Sequence, residues 1–325
     1  MNIISDLFRM ILSGINSIVG NYGVAVVLFT ILVKLLVLPL DVKSKKSMRA
    51  VTKIQPKLNE LKEKYGKDPD KLNQKTMELY KKEKVSPTAG CLPLLIQMPI
   101  LLFMFGAMRD VANEQTIAMI MNLSEQVASG VAPEVATVAF DSFLWIKNLF
   151  QPDTFTSVLP AFGDQLAAIS PVTGSGILTA ENIEAARVFL SSEAYSIIAA
   201  AHGAGDFISY PIPVLITTLH LTIPNSLNAL LTSTNGLFIL PITAGLSQWL
   251  MTKLTSAGQS KEQMQQSGMG FMNWFFPLFS FYICLSYNAA FSLYWVASNL
   301  IAMIQQVAVN KWLDAKEKKA ANEAA

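Results

Sequence analysis

The residue with the clearest chemical potential is a lysine inside an apolar segment. Lys34 is the only charged residue between Tyr22 and Leu40, and Thr30 precedes it by one helical turn. A charged side chain at the bilayer centre costs roughly 2.5–3.5 kcal/mol on insertion scales, so such residues are either functional or extend toward the membrane surface. Lys34 lies six residues from the end of its segment. Both interpretations stay open: a cation that attracts acidic groups, or a lysine whose amine reaches the interface.

Neutral polar residues occur in the other apolar segments of the chain. Hydrogen bonding between helices explains each of them when it is taken alone. Taken together with Lys34, they also indicate a hydrated, positively charged cavity that opens toward the cytoplasm. These residues are Gln97, Thr243, Ser247, Gln248, Ser286, Asn288, Ser292, Ser298, Asn299, Gln305 and Gln306.

Residues for hydrolytic, metal or nucleotide chemistry are missing from the apolar segments. Both histidines, His202 and His220, fall in a long polar loop, and the sequence has neither an HExxH motif nor a P-loop. Cys91 and Cys284 are too isolated for a disulfide framework or a metal site. The apolar segments contain no carboxylate, whereas ion-coupled transporters commonly carry one. We therefore expect no enzymatic activity, no cofactor, no metal and no use of ATP.

Composition predicts that these segments belong to a membrane protein. Hydrophobic residues make up 52% of the 325 residues and charged residues only 15%, whereas globular domains carry roughly 25% charged residues. The net charge of +2 gives no support for a specific nucleic-acid partner. Buried core helices of a soluble protein are the alternative, but five such segments in one chain of this size make it untenable.

The lengths of the apolar segments predict five transmembrane helices. A bilayer core of about 30 Å requires roughly 20 helical residues, and segments 21–40, 91–108 and 236–252 each approach this length. A fourth stretch, Gln263 to Asn310, has 48 residues without a charge. Because it is too long for one span, we expect it to break near Tyr287–Ala289 into two helices. The predicted spans are 21–40, 91–108, 236–252, 271–287 and 289–308.

The distribution of Lys and Arg predicts the orientation in the membrane. Of the 25 basic residues, 20 lie in segments 41–90, 253–270 and 309–325, and five spans place all three segments on the same side. The basic side of a membrane protein is cytoplasmic. We therefore expect the N-terminus outside and a basic C-terminal tail, 309–325, in the cytoplasm of a bacterial cell.

Two segments next to the first span read as helices outside the bilayer. Residues 1–20 have apolar residues at helical spacing with one polar face, as in a helix that lies in the membrane interface; a cleaved signal peptide is the rival interpretation. Residues 41–90 predict a cytoplasmic helical hairpin that breaks at Gly66–Pro69. Its 14 basic residues are either a solvated face near anionic lipid or a docking surface for ribosomes or targeting factors.

The longest predicted loop, 109–235, contains an insertion at about 155–235. This region is rich in Ser, Thr, Ala, Gly and Pro. We expect a helix that starts after Thr179 and reaches about Ala201. The apolar stretch Ile212 to Ile223 is short and interrupted by proline, so we do not count it as a span.

Several sequence blocks closely resemble the YidC/Oxa/Alb family of membrane protein insertases. The resemblance covers about 22–153 and 236–308, with the blocks in the family's order and spacing. The most specific are LLIQMP in the second span and SNL in the fifth. The blocks are Phe29–Leu40, Ile54–Lys57, Tyr80–Pro87, Gly90–Pro99, Phe143–Lys147, Met264–Gln266, Leu293–Leu300 and Ile304–Gln306.

The resemblance implies an all-α fold with five transmembrane helices around a hydrophilic groove, open to cytoplasm and lipid. The family's groove positions correspond to Thr30, Lys34, Gln248 and Trp295, and we add Gln97, Ser298 and Asn299 from the polar residues above. The implied function is a membrane insertase and chaperone that receives hydrophobic nascent proteins without ATP. Its partners would be nascent membrane proteins and the bilayer, with the ribosome, the signal recognition particle receptor and the Sec translocon as further candidates.

The sequence departs from the family pattern at three places. Lys34 replaces the usual Arg, which keeps the charge but loses the forked set of donors. Asn288-Ala289-Ala290 replaces the usual Pro-x-Gly in the last outer turn. The insertion at 155–235 enlarges a loop that is short in most members. Since no large domain precedes the first span, the chain is expected to be the short, Gram-positive-like form.

Two other classes of function remain as alternatives. A membrane chaperone or assembly scaffold would bind hydrophobic helices without inserting them. A transporter or channel fits less well, because the sequence shows no inverted repeat and no buried acid.

Overall fold

Long helices dominate the computed structural model, which describes residues 3–85, 92–160, 169–214, 217–256 and 269–324. A two-stranded antiparallel sheet accompanies them. The helices are α1 (Ile3–Val19), α2 (Tyr22–Tyr65), α3 (Pro69–Lys82), α4 (Leu92–Ala128), α5 (Ala180–Leu190), α6 (Glu193–Ala201), α7 (Leu227–Thr232), α8 (Ile239–Ser256), α9 (Met269–Ser286) and α10 (Ala289–Ala324). The strands are β1 (Phe207–Val214) and β2 (Thr217–Pro224).

The chain divides into two units by its internal contacts. The first unit comprises Met1–Thr30, Phe103–Gln248 and Phe276–Ala297. The second unit comprises Ile31–Leu102, Trp249–Phe275 and Ser298–Ala325. Helices α2, α4, α8, α9 and α10 each contribute residues to both units.

Helix α2 runs through the predicted boundary between the first span and the cytoplasmic hairpin. It has 44 residues, about 66 Å at 1.5 Å per residue. Pro39 and Pro56 lie within it, and no glycine follows the apolar part. At residue 41 the composition changes from apolar to charged. Each proline removes one backbone hydrogen bond, but the helix continues past both. The span and the first arm of the hairpin are therefore one helix.

Helices α4 and α10 also extend beyond the spans predicted for them. Helix α4 continues for 20 residues past the predicted end at residue 108, and Cys91 lies outside the described residues. Helix α10 continues through the predicted basic tail to Ala324. In the described part of the chain, α2 and the Ala289–Lys319 part of α10 are long and apolar enough to cross a membrane, and Asn273–Ser286 is a shorter apolar helix.

Residues 155–235, here called the cap, contain the helices and strands of the predicted insertion. The helix expected from Thr179 to Ala201 is confirmed but is broken into α5 and α6 at Ser191–Ser192. The side chain of Ser192 caps α6 by accepting from Tyr195 N at 3.2 Å. The strands β1 and β2 add a hairpin that an all-α prediction did not include.

The cap packs against the C-terminal extension of α4. Ile117, Ile120 and Leu123 of α4 are fully buried in one hydrophobic cluster with residues of the cap. Tyr195 is also fully buried there, and its hydroxyl donates to Pro160 O at 2.8 Å. Burial raises the pKa of the Tyr195 phenol, so it remains the neutral donor.

Helix α1 is attached to the same unit by an ion pair and an aromatic contact. Arg9 of α1 pairs with Glu114 of α4, and Ser175 of the cap donates to Glu114 at 2.7 Å. Phe8 packs edge-on against Phe29, with 5.4 Å between the ring centroids. Other apolar residues of α1 are exposed, among them Met10 and Ile18. The position of α1 in the membrane interface stays a prediction.

Candidate functional site

The second unit holds four of the seven predicted groove residues. These are Lys34, Gln97, Ser298 and Asn299, whereas Thr30, Gln248 and Trp295 belong to the first unit. Lys34 and Gln97 are brought together by α2 and α4. Ser298 is buried, and Gln248 and Asn299 are half-buried.

Lys34 is a buried cation with neutral polar neighbours. Its side chain is only 9% exposed, and Nζ donates to Gln97 Oε1 at 3.5 Å, a long and weak hydrogen bond. No carboxylate of the described residues forms a salt bridge with Lys34. The amide oxygen of Gln97 solvates this charge, and Asp41 of the same helix interacts with it electrostatically without a direct ion pair. The ammonium group can therefore still pair with an external anion.

Gln305 is a polar neighbour of Lys34 that the predicted set of groove residues omitted. Its Nε2 donates to the backbone oxygen of Lys34 at 3.2 Å, which links α10 to α2. Its Oε1 is buried and has no hydrogen-bond partner among the described residues. The signal was present in the Ile304–Gln306 block, but the sequence cannot show which of two adjacent glutamines turns toward Lys34.

Thr30 does not present a free hydroxyl proton. Its Oγ1 donates to Val26 O at 2.7 Å within α2, and the residue is fully buried. The oxygen retains lone pairs, so Thr30 can accept a hydrogen bond but is already committed as a donor.

Trp295 offers a buried donor. The indole is 8% exposed and packs near Phe291 and Phe279, with centroid distances of 5.7 and 6.3 Å. Its Nε1 has no hydrogen-bond partner among the described residues. A buried tryptophan usually finds such a partner, so this N–H is available to water or to a carbonyl of a bound chain.

The turn before α10 is satisfied without the Pro-x-Gly sequence of the family. Asn288 accepts from Phe291 N at 2.9 Å and so caps the helix. The backbone N–H groups of Ala289 and Ala290 donate to Gln151 O and Leu149 O, both at 2.9 Å. Asn288 and two small buried residues therefore hold this turn by capping and by pairing with the 149–151 segment.

Asp153 anchors the start of α8, a role that sequence reasoning missed. The residue is fully buried, and its carboxylate accepts from Leu237 N at 2.8 Å and from Leu240 N at 2.6 Å. Trp145 Nε1 donates to the same carboxylate at 3.2 Å. Because the partners of Asp153 are 84 and 87 residues away, no local sequence pattern predicts these hydrogen bonds. An acidic group at a helix N-terminus is also favoured by the helix dipole.

Within the second unit, ion pairs join α2 and α10. Arg49 donates to Asp314 Oδ1 at 2.7 Å and to Asn310 O at 3.0 Å. Lys53 pairs with Glu317 at 3.1 Å. Part of the basic surface predicted for segments 41–90 and 309–325 is therefore used to hold these two helices together.

Similar sequences occur in proteins named membrane protein insertase YidC. The relative from Fusobacterium nucleatum is 40% identical over 159 residues, which is 49% of this chain and 65% of the relative. The one from Caldanaerobacter subterraneus subsp. tengcongensis is 39% identical over 140 residues, 42% of this chain and 68% of the relative. The one from Oleidesulfovibrio alaskensis is 40% identical over 152 residues, 46% of this chain.

The match covers only part of these relatives. The chain spans 65% of the Fusobacterium protein and 26% of the Oleidesulfovibrio protein, both less than two thirds of their length. A family model described as 60Kd inner membrane protein matches residues 14–235 and 215–318. Together with the relatives, this match confirms the resemblance found in the sequence blocks. The chain belongs to the 60Kd inner membrane protein family, that is, to the YidC/Oxa/Alb family.

Proposed function

We propose that the protein inserts hydrophobic nascent proteins into the bilayer and acts as their chaperone, without ATP. The relatives named as insertases support this function. The observation that carries it in this chain is Lys34, a buried cation with a neutral amide neighbour and no carboxylate within salt-bridge distance among the described residues.

The proposed topology has five spans with the N-terminus outside. The spans correspond to the apolar parts of α2, α4, α8, α9 and α10, and the cap lies on the outer side. The distribution of basic residues supports this orientation. The basic residues of α3 and of the second half of α2 then face the cytoplasm, where ribosomes, the signal recognition particle receptor or the Sec translocon would dock.

Lys34 would draw in the acidic tail of a client. At an effective dielectric constant near 20, an opposite charge 4 Å away gains about 4 kcal/mol before desolvation, against about 1 kcal/mol in water. Gln97 solvates the ammonium group without neutralising it. With Lys34 as the only cation in its predicted span and no carboxylate in the predicted spans, the tail is held weakly enough to leave again.

The remaining groove residues would solvate the client's polar backbone while its apolar helix moves into lipid. Trp295 Nε1 is a buried donor and Gln305 Oε1 is a buried acceptor. Neither has a hydrogen-bond partner among the described residues. The family resemblance adds Thr30, Gln248, Ser298 and Asn299 as client-contacting positions. Transfer of the client's apolar surface out of water supplies the driving force.

The test is insertion of a single-span client into liposomes that contain only this protein. The client carries an acidic, neutral or basic outer tail, and insertion is scored by protease protection. Lys34→Arg should retain activity because the charge persists. Lys34→Ala should impair the acidic-tailed client most, and Lys34→Glu should impair it further through repulsion.

Two results would contradict the proposal at different levels. If Lys34→Ala inserts all three clients as well as the wild-type protein does, Lys34 does not attract the client and only extends its amine to the membrane interface. Failure of the wild-type protein to insert any client, although it binds them, would make it a chaperone or scaffold.

A further inference from the structure

The β-hairpin of the cap presents an apolar face that the described residues leave about half exposed. Ile208 pairs directly with Ile223 across the two strands, so their side chains lie on one face, and Tyr210 lies two residues farther along the same face. The exposed fractions of these side chains are 48%, 40% and 50%. An isolated two-stranded hairpin is marginally stable in water, so an apolar surface against this face would also stabilise the fold.

The next element in the chain is similarly exposed. Helix α7 begins three residues after β2 ends, and its Leu227 and Leu231 lie one turn apart. Their exposed fractions are 72% and 69%. Two successive elements of the cap therefore leave large apolar side chains without cover.

The sequence around these elements excludes a charged partner. From Phe207 to Thr252 there is no Asp, Glu, Lys or Arg in 46 residues. This charge-free run begins with β1 and ends within α8, a proposed membrane span. A surface for acidic lipid, nucleic acid or an acidic peptide would carry basic residues. The matching partner is neutral and apolar, and it is continuous with the surroundings of α8.

Hydrogen bonds tie the base of the hairpin to the segment that precedes α8. Asp206, just before β1, accepts from Ser233 Oγ at 3.0 Å and from Asn225 N at 2.8 Å. Lys147 Nζ donates to Thr232 O at 2.7 Å and to Leu231 O at 3.1 Å, which secures the end of α7. Seven residues farther along, α8 begins at Ile239. The hairpin is therefore tied to the residues that lead into α8, the helix that would enter the bilayer from the outer side.

We propose that the face of Ile208, Tyr210 and Ile223 is embedded in the outer leaflet, at the boundary between headgroups and acyl chains. This inference rests on the proposed topology, in which α8 starts at the outer surface. Tyrosine is favoured at this depth because its ring is apolar and its hydroxyl is polar. The hairpin would anchor the cap to lipid through apolar contact, independently of lipid charge.

The experiment places an environment-sensitive fluorophore at each position of the face. Ile208→Cys, Tyr210→Cys and Ile223→Cys are made separately in a Cys91→Ala, Cys284→Ala background of the full chain. Each protein is labelled with NBD and reconstituted into phosphatidylcholine vesicles. Quenching by doxyl-labelled lipid should place the three labels about 5–10 Å below the headgroup surface, with blue-shifted emission. Because all three positions are exposed, the substitutions remove no core contact.

Val188→Cys is the matched control in the same cap. Val188 is also apolar and 66% exposed, but it lies on α5 beside Arg187, outside the charge-free run. Its label should stay accessible to aqueous iodide and show several-fold less lipid quenching. The pattern should be unchanged in high salt and in vesicles with added phosphatidylglycerol.

Three outcomes would overturn the inference. The hairpin labels could be as accessible to iodide as the control, they could be shielded from both quenchers by protein, or their lipid contact could require anionic lipid. Client insertion is measured on the same vesicles. Labels in water on an active protein overturn this inference alone, whereas labels in lipid on an inactive protein overturn the proposed function alone.

Discussion

At the scale of single residues, isolated charge is visible in the sequence but its partners are not. Lys34 is conspicuous because nothing else in its segment is charged, and the structure places Gln97 beside it. Gln305 and Asp153 are not conspicuous, because each acts on a residue more than 80 positions away. A polar side chain acquires such a role only when helices distant in sequence come together.

Asp153 gives a prediction at this scale. Asp153→Ala removes the acceptor of two backbone N–H groups at the start of α8, and each buried donor left unpaired costs about 1–3 kcal/mol. We expect a clearly lower midpoint of thermal unfolding in detergent, with Asp153→Asn intermediate because it keeps one acceptor oxygen.

An exposed acid of the same unit supplies the control for this measurement. Glu134→Ala should leave the midpoint unchanged, since Glu134 is exposed. Gly236→Ala should resemble Asp153→Ala, because a Cβ at Gly236 would clash with the carboxylate of Asp153. If Asp153→Ala and Glu134→Ala unfold at the same midpoint, water replaces the Asp153 carboxylate as the acceptor for the N–H groups at the start of α8.

At the scale of elements, hydrophobicity located the apolar helices but not their ends. The predicted boundaries at residues 40, 108 and 308 follow the change from apolar to polar composition. The structure continues α2, α4 and α10 through all three, because helix propensity and backbone hydrogen bonding do not depend on the bilayer. The β-hairpin was missed for a related reason. Its prolines and its short apolar runs argued against a membrane span, but the sequence did not show that the two runs pair with each other as strands.

The extension of α10 alongside α2 leads to a second prediction. Arg49→Glu should release residues 309–324, because it replaces the attraction between Arg49 and Asp314 by repulsion. Partly exposed ion pairs contribute about 0–1 kcal/mol, so amide hydrogen exchange in this segment should accelerate only about two- to fivefold. Asp314→Arg should act similarly, and the charge-swapped double variant should recover protection.

Lys43→Glu is the control for this pair of variants. Lys43→Glu makes a charge change of the same sign on the same helix but lies six residues before Arg49, and within the described part of the chain no hydrogen bond or ion pair joins Lys43 to α10. Equal acceleration by Lys43→Glu would show that general charge, and not the contact with Asp314, governs the segment. The absence of recovery in the double variant would lead to the same conclusion.

At the scale of the whole molecule, the cap is an addition with its own core and its own anchoring contacts. Its hydrophobic cluster shares Ile117, Ile120 and Leu123 with α4. The charge and the polar neighbours of the Lys34 site lie in the second unit, and the cap lies in the first. The other proposed client-contacting residues, Thr30, Gln248 and Trp295, share the first unit with the cap but lie outside 155–235. A deletion within the cap can therefore separate its contribution from that of the client site.

The last prediction concerns deletion of the cap. Replacing 156–234 with a short Gly/Ser linker should leave insertion of simple clients largely intact, because none of the proposed client-contacting residues is removed. The deletion also exposes Ile117, Ile120 and Leu123, and losing burial costs about 1.5–3 kcal/mol for each large aliphatic side chain. The deletion is therefore made both alone and with Ile117→Ser, Ile120→Ser and Leu123→Ser. We expect the polar version to express as a monodisperse protein with near wild-type insertion. A polar version that folds and reaches the membrane but inserts no client would show that the cap takes part in insertion itself.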